Sequence, residues 1–306
     1  MTAENVATLL ESLSRQTVDL EMIVVDNGSP GQEVTRACGD YEFAKGLTLE
    51  CNAGFSRAVN IAAKEAAGDL IILVNDDSVC EPKFVELISS ALDPSGGTMM
   101  AAGVMRDARA PHLIETAGIE IDHALLAFDY LNGEERSVLD GEVAEPLGPS
   151  GAAAAYWRET FLAAGGFDER IFAYWEDVDL ALRLRSEGFT CALARGALGT
   201  HAHSATLGSG SPRKNYLMGF GRGYVLRKWG ALRPRLLPGI VARDVLICTG
   251  QLMFDRNAEG IRGRAAGMRA RVEPEPYPSG AIAASPGHGV RASLSRRARR
   301  RLRLRR

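Results

Sequence analysis

The run Leu70-Ile-Ile-Leu-Val-Asn-Asp-Asp-Ser78 decides how this chain is read. Five apolar residues, three of them β-branched (Ile71, Ile72 and Val74), predict a strand buried on both faces, as in the middle of a parallel sheet. The strand ends in Asn75, Asp76 and Asp77. Ligands of open α/β sheets bind at the carboxyl ends of strands, and adjacent hard oxygen donors there suit Mg2+ or Mn2+ carrying a phosphorylated substrate. Asn and Asp also form ordinary polar turns, so the flanking sequence has to choose between the two.

Upstream, residues 4–16 place Val6, Leu9, Leu10 and Leu13 on one helical face, and residues 21–26 form an apolar strand that also ends in carboxylate and amide, Asp26 and Asn27. A short strand at 47–50 leads into Asn52-Ala-Gly-Phe-Ser-Arg-Ala-Val-Asn60 and a helix to about Ala67, stopped by Gly68. Helix and strand alternate as in a parallel sheet with right-handed crossovers. Downstream, a helix over 83–92 and a strand over 99–105 precede a less regular region, 106–146. Gly148 to Trp157 and a short helix then lead to Phe172-Ala-Tyr-Trp-Glu-Asp-Val-Asp-Leu-Ala-Leu-Arg183. Asp179 and Arg183 have helical ion-pair spacing. The helix dipole accounts for one acid in a first turn, but Glu176, Asp177 and Asp179 behind an aromatic pair form a cluster whose altered pKa values suit a general base. A strand at 190–194 ends near Gly199-Thr-His-Ala-His203, where a histidine brought beside Asp77 would be a further metal ligand.

The net charge of −2 conceals an asymmetry: residues 1–200 hold 14 Lys/Arg and 33 Asp/Glu, a net of −19, and residues 201–306 hold 22 and 5, a net of +17. An acidic front suits cations and a basic back suits polyanions. Cys38, Cys51, Cys80, Cys191 and Cys248 have no close pairing, which points away from zinc or disulfide frameworks and toward a reducing compartment. No uninterrupted apolar run reaches the roughly 18 residues of a membrane span, and no basic-then-apolar leader opens the chain. A nicotinamide-binding enzyme is excluded, because no Gly-x-Gly-x-x-Gly turn follows an early strand.

Five stretches, IVVDNGS (23–29), ECNAGFSRAVN (50–60), ILVNDDS (72–78), GGFDERIFAYWEDVDLALRLRSEGF (165–189) and THAHSAT (200–206), together resemble the inverting family 2 glycosyltransferases of the GT-A fold, within them the rhamnosyltransferase-like branch. The resemblance runs from about residue 4 to about 230. It implies a nucleotide-diphospho-sugar transferase fold, a Rossmann-like, mostly parallel sheet flanked by helices. By the same resemblance Asp26 reads the nucleotide base, Asn52, Gly54 and Asn60 belong to the loop beside the nucleotide, and Asp76 contacts the ribose or the metal's water shell. Asp77 and His201, the latter in preference to His203, hold Mg2+ or Mn2+. Asp177 is the catalytic base, with Glu176 beside it on the acceptor side. Members of the family open with a strand whose equivalent this sequence does not show, so the sheet is expected to lack a central element. Asn75 stands where an acid is common.

The expected domains are a catalytic domain over 1–210, a helical and membrane-associating segment over 211–271, and a disordered polybasic tail over 272–306. The expected partners are a dTDP- or UDP-sugar donor, a glycan or lipid-linked acceptor and an anionic membrane surface at the cytoplasmic face, with no specific nucleic acid. The competing expectation is a non-catalytic nucleotide-sugar-binding remnant.

Overall fold

The computed structural model describes residues 2–29, 31, 33–201 and 210–286. In chain order its elements begin with α1 (Ala3–Leu13), β1 (Met22–Asp26), α2 (Glu33–Arg36), β2 (Ala44–Thr48), α3 (Phe55–Glu65), β3 (Leu70–Val74), β4 (Ser78–Cys80) and α4 (Phe84–Ser90). They continue with β5 (Thr98–Asp107), β6 (Ala110–Thr116), β7 (Ile119–Ile121), β8 (Ala127–Asp129), β9 (Ala153–Trp157), α5 (Arg158–Ala163), α6 (Glu176–Ser186) and β10 (Thr190–His201). Four helices follow: α7 (Pro212–Lys228), α8 (Leu237–Gly250), α9 (Glu259–Arg269) and α10 (Ser279–Ala283).

A six-stranded sheet runs β3-β9-β5-β10-β4, with β6 added on β5. Strands β3, β5 and β10 run in one direction, yet the direct neighbours are mixed. The β5–β10 ladder is parallel, whereas β9 lies antiparallel between β3 and β5. Alternation of helix and strand predicts parallel neighbours; here the chain passes through β6 and then the β7–β8 pair and returns as β9 in the reverse sense.

Strand β3 is corrected in one respect. Only Ile71 is buried and its neighbours are half-buried, because β3 ends the sheet and pairs on one edge alone. β1 and β2 form a separate parallel pair, and no ladder joins β1 to β3 among the described residues. Between β1 and β3 lies a groove walled by Leu9 and Leu13 of α1 and Ala62 and Ala63 of α3, and it opens into the cavity beyond the strand ends.

The register of the last strand positions the site. β10 carries a bulge between Leu193 and Leu198, continues past the expected Ala194, and pairs His201 with Ser78 of the antiparallel β4. That pairing sets His201 next to Asp77 although 123 residues separate them in sequence.

Helix α7 packs on α9 through glycines: a Cβ on Gly263 would stand 2.0 Å from the Tyr216 carbonyl oxygen, and one on Gly267 would stand 2.1 Å from that of Phe220. α7 in turn supports the front of α6. Trp229 is fully buried and its indole N–H donates to Asp179, a residue of α6. The expectation of a disordered tail from residue 272 is corrected up to residue 286. Ala281 and Ile282 of α10 are buried, and the Tyr277 hydroxyl donates to the His123 carbonyl oxygen at 2.6 Å. A composition rich in Pro, Gly and Ala does not prevent docking when two small apolar side chains find a prepared surface. The Arg-rich end of the tail lies outside the described residues.

Helix α8 continues through a π turn to Asp255, and the stretch Leu237–Asp255 is long and apolar enough by length and composition to cross a membrane. The sequence reads Leu236 to Phe254 as an apolar or amphipathic helix, and Arg243, Asp244 and Gly250 interrupt it, so no uninterrupted apolar run of spanning length is seen there.

Candidate active site

The strand ends and the front of α6 share one cavity of about 2390 Å3, lined by Asn52, Asp76, Asp77, Glu176, Asp177 and His201 among others. Residues called from separate stretches of sequence are therefore neighbours in space.

Asp26 closes β1. Its side chain is fully buried, Oδ1 accepts the Ser29 N–H at 2.9 Å, and Oδ2 makes no hydrogen bond among the described residues. A buried acceptor in that condition is costly unless a ligand donor meets it. Asn27, noted in sequence only as a strand-end amide, ties the next loop in place. Its Oδ1 accepts the Ala53 N–H at 2.8 Å and its Nδ2 donates to the Gly54 carbonyl oxygen at 3.0 Å. Asn52 Oδ1 accepts the Gly54 N–H at 3.0 Å.

Gly54 has φ of +90°, and a Cβ there would lie 2.6 Å from the Phe172 carbonyl oxygen, which already accepts the Phe55 N–H. Gly54→Ala is therefore expected to destabilise the fold by about 1–3 kcal/mol, read as a lowered midpoint in urea unfolding.

Asn60 is placed differently from its neighbours in the motif. It is buried, its amide nitrogen donates to the Phe167 carbonyl oxygen and to Glu169, and its oxygen accepts the Phe167 N–H at 2.8 Å. These bonds make Asn60 a strut that fixes the loop before α6. A polar residue on the inner face of a helix serves either purpose, which sequence alone does not separate.

At the end of β3, His201 Nε2 lies 2.8 Å from Asp77 Oδ1, and His201 Nδ1 lies 2.9 Å from Glu115 Oε2. Burial disfavours a charged imidazole, but the hydrogen bonds and charges of Asp77 and Glu115 outweigh it and raise the His201 pKa to about 10. Burial likewise pushes the Asp77 carboxyl up, and His201 overcomes this to hold it below the usual range. Burial, with the charge of Asp77 adding to it, raises Asp76. Asp77 and Glu115 thus flank the imidazole on both ring nitrogens and favour its charged form.

Asp77 oxygen and His201 nitrogen fit a divalent cation that takes its other ligands from water and a diphosphate. No group of three His, Cys, Asp or Glu side chains converges as a complete metal cage among the described residues. Glu115 escaped the sequence reading; its only signal was a carboxylate inside the apolar run Leu113-Ile-Glu. His203 lies outside the described residues.

The third wall is the front of α6. Tyr174 and Trp175 both have positive φ, +67° and +81°, a strained pair of non-glycine residues held by α7. The Lys214 ammonium lies 5.4 Å from the Tyr174 ring centre and the Arg222 guanidinium 5.8 Å from that of Trp175, while Gly221 leaves room for the indole.

The turn delivers Asp177 into the first turn of α6. There Oδ2 accepts the Gly151 N–H at 3.2 Å and Oδ1 accepts the Val178 N–H at 2.8 Å. Burial raises the Asp177 pKa to about 6 in spite of these two N–H donors. Glu176 is more deeply buried. Desolvation and then the charge of Asp177 push its carboxyl well above the ordinary range, and its Oε2 makes no hydrogen bond among the described residues. Burial thus favours the neutral form of Glu176, whereas the two N–H donors on Asp177 favour its carboxylate. Asp129, Arg213 and Lys214 complete this wall.

Residues 2–119 match the model of Glycosyl transferase family 2. The chain is 29% identical over 214 residues to the uncharacterized glycosyltransferase YwdF of Bacillus subtilis, covering 68% of this chain and 75% of that protein. It is 29% identical over 228 residues to the N-acetylglucosaminyl-diphospho-decaprenol L-rhamnosyltransferase of Mycobacterium tuberculosis, covering 64% and 71%. Among solved structures, GalNAc-T7 with UDP, GalNAc and Mn2+ superposes with a TM-score of 0.58 at 15% identity, over 72% of this chain and 45% of the solved one. The chain thus spans less than half of that protein, and the likeness concerns the fold.

Proposed function

Because the chain is a family 2 glycosyltransferase of the GT-A fold, we propose that it transfers a sugar from a nucleotide diphosphate to a cell-surface glycan or lipid-linked acceptor, with inversion at the anomeric carbon. The observation that carries this reading is one cavity holding a cation-adapted pair, Asp77 and His201, together with a carboxylate of near-neutral pKa, Asp177.

Asp26 meets the base through its unpaired oxygen, and the loop stapled by Asn27 brings Asn52 and Gly54 alongside the nucleotide. Asp77 and His201 would hold Mg2+ or Mn2+, which when bound supplies charge neutralisation for the departing diphosphate. Arg213 and Lys214 face the same cavity and offset negative charge that develops there. Asp177 accepts the proton of an acceptor hydroxyl as that oxygen attacks the anomeric carbon from the side opposite the diphosphate. Glu176, its carboxyl raised by burial, lies beside Asp177 on the acceptor side.

The relative from M. tuberculosis makes a dTDP-rhamnose donor and a polyprenyl-diphosphate saccharide the first pair to test. We place the reaction at the cytoplasmic face of an anionic membrane, where the basic C-terminal part finds its partner. Incubation with dTDP-rhamnose, Mn2+ and synthetic polyprenyl-diphosphate N-acetylglucosamine is expected to give a disaccharide with inverted anomeric configuration by NMR. Retained configuration would overturn the mechanism. Nucleotide binding with no turnover on any acceptor would favour the reading of a binding remnant, for which the separation of β1 from β3 is the motivating observation.

Glu115 acts as a positioning residue: it holds Nδ1 of His201, which leaves Nε2 on the Asp77 side, where it would be available to the ion. Glu115→Gln is expected to weaken Mn2+ affinity by about 10–100-fold, measured by titration of Mn2+ into the dTDP-saturated protein. Unchanged affinity would remove Glu115 from the site.

A further inference from the structure

Helix α8 is built inside out. Its charged residues point into the protein: Arg243 pairs with Asp122 at 2.5 Å, and Asp244 pairs with Arg222 at 3.1 Å and Arg264 at 3.4 Å. Ile240 is buried beside them. Its apolar residues point out. Val241, Val245 and Leu252 form one stripe at helical spacing, Leu246 and Met253 a second, and Phe254 is 78% exposed. A soluble surface helix presents the opposite pattern, and a contiguous apolar face of this kind marks an interaction site. Exposed arginines flank the run, Arg233 and Arg235 before it and Arg256 and Arg262 after it.

We propose that this face is an in-plane membrane-docking surface that seats on anionic lipid. The proposal rests on the glycosyltransferase reading for its purpose but not for its physics. The arginine rim is the charge complement of anionic headgroups, and the apolar stripe supplies the buried area that interfacial helices need. Although α8 is long enough to span, its inner side is tied to the rest of the protein by these three ion pairs and Ile240. Breaking away would strand the buried Arg222 without its carboxylate partner, so the helix lies along the surface rather than across it.

The position of the helix gives the docking a use. Leu246 and Phe254 line the same cavity as Asp177, so α8 forms the lip between the apolar exterior and the reacting groups. An acceptor held by a lipid chain would keep that chain in the bilayer while its sugar passes over the lip.

The test uses the full chain and phosphatidylcholine vesicles containing about 30% phosphatidylglycerol. Flotation is measured at low salt and at about 0.5 M NaCl, where the polybasic tail is largely screened. The variant Val245→Glu/Met253→Glu alters two outward side chains that do not line the cavity. Wild type is expected to float at both salts, and the variant to lose at least about tenfold in partition at high salt, as two large apolar contacts are withdrawn from the interface. Equal partition of variant and wild type overturns the proposal. So does loss of wild-type partition at high salt, which would leave the tail as the sole contact. A wild-type dimer in light scattering that the variant splits, without vesicle binding, would assign the face to a second copy instead. Titration with dTDP and UDP in the presence of Mn2+ is run on both proteins. Binding in both shows that the variant is folded, whereas binding in neither counts against the transferase reading and leaves the flotation result to decide the docking face.

Discussion

Asp177→Asn is expected to lower turnover by about 10^2–10^4-fold while leaving nucleotide affinity within about twofold. Asn keeps the shape of the side chain and one of the two oxygens that accept N–H groups from Gly151 and Val178, so the turn into α6 is retained. What it loses is the capacity to accept a proton. The pH profile provides an independent reading. The Asp177 pKa is raised to about 6, and only the deprotonated form serves as base, so kcat/KM falls as pH drops through about 6 and reaches its plateau above it. Turnover that survives in the Asn variant would move the base elsewhere, with Asp129 next in line on the same wall.

Asp179→Ala is expected to cost about 3–5 kcal/mol of stability, measured by urea unfolding. Asp179 is 0% exposed and accepts from Arg183 at 2.9 Å, Lys228 at 2.9 Å and the Trp229 indole at 3.0 Å. Removing the carboxylate leaves the buried Lys228 with Asp168 alone and the half-buried Arg183 with only the Ala164 and Gly166 carbonyls, and it unfastens α6 from α7. Asp179→Asn keeps a hydrogen-bond acceptor and should cost less. Equal losses for the two variants would mean that the charge is immaterial. Because α7 also holds the strained Tyr174-Trp175 turn, the Ala variant should lose activity at temperatures below its unfolding transition.

Much of this site was legible because it sits at strand ends. Apolar runs closing in Asp26 and in Asn75-Asp76-Asp77 announce both the strand and its functional edge, and the acids after Trp175 announce the start of α6. Long-range register was not legible. Glu115 reaches His201 only because β6 lies beside β5 and β10 passes over a bulge, neither of which is written locally. Asn60 was read as a nucleotide contact because it lies in a motif, yet the local sequence does not show that Phe167 and Glu169 fold back onto it. The outward face of α8 was hidden for a similar reason. Arg243 and Asp244 break the apolar run in sequence, and only the fold shows that their partners lie inward. The reverse entry of β9 left no signal that alternation of helix and strand could register.

The central claim is a cation-dependent nucleotide site at Asp77 and His201, and calorimetric titration of the full chain with dTDP and with UDP tests it most directly. Each nucleotide is titrated with Mn2+ and again with excess EDTA, and the series is repeated on Asp77→Asn. The account predicts binding of at least one nucleotide with Mn2+, loss of about tenfold or more in affinity with EDTA, and the same loss in the variant whether or not Mn2+ is present. Binding that is equally tight with EDTA, or unchanged in Asp77→Asn, would contradict it.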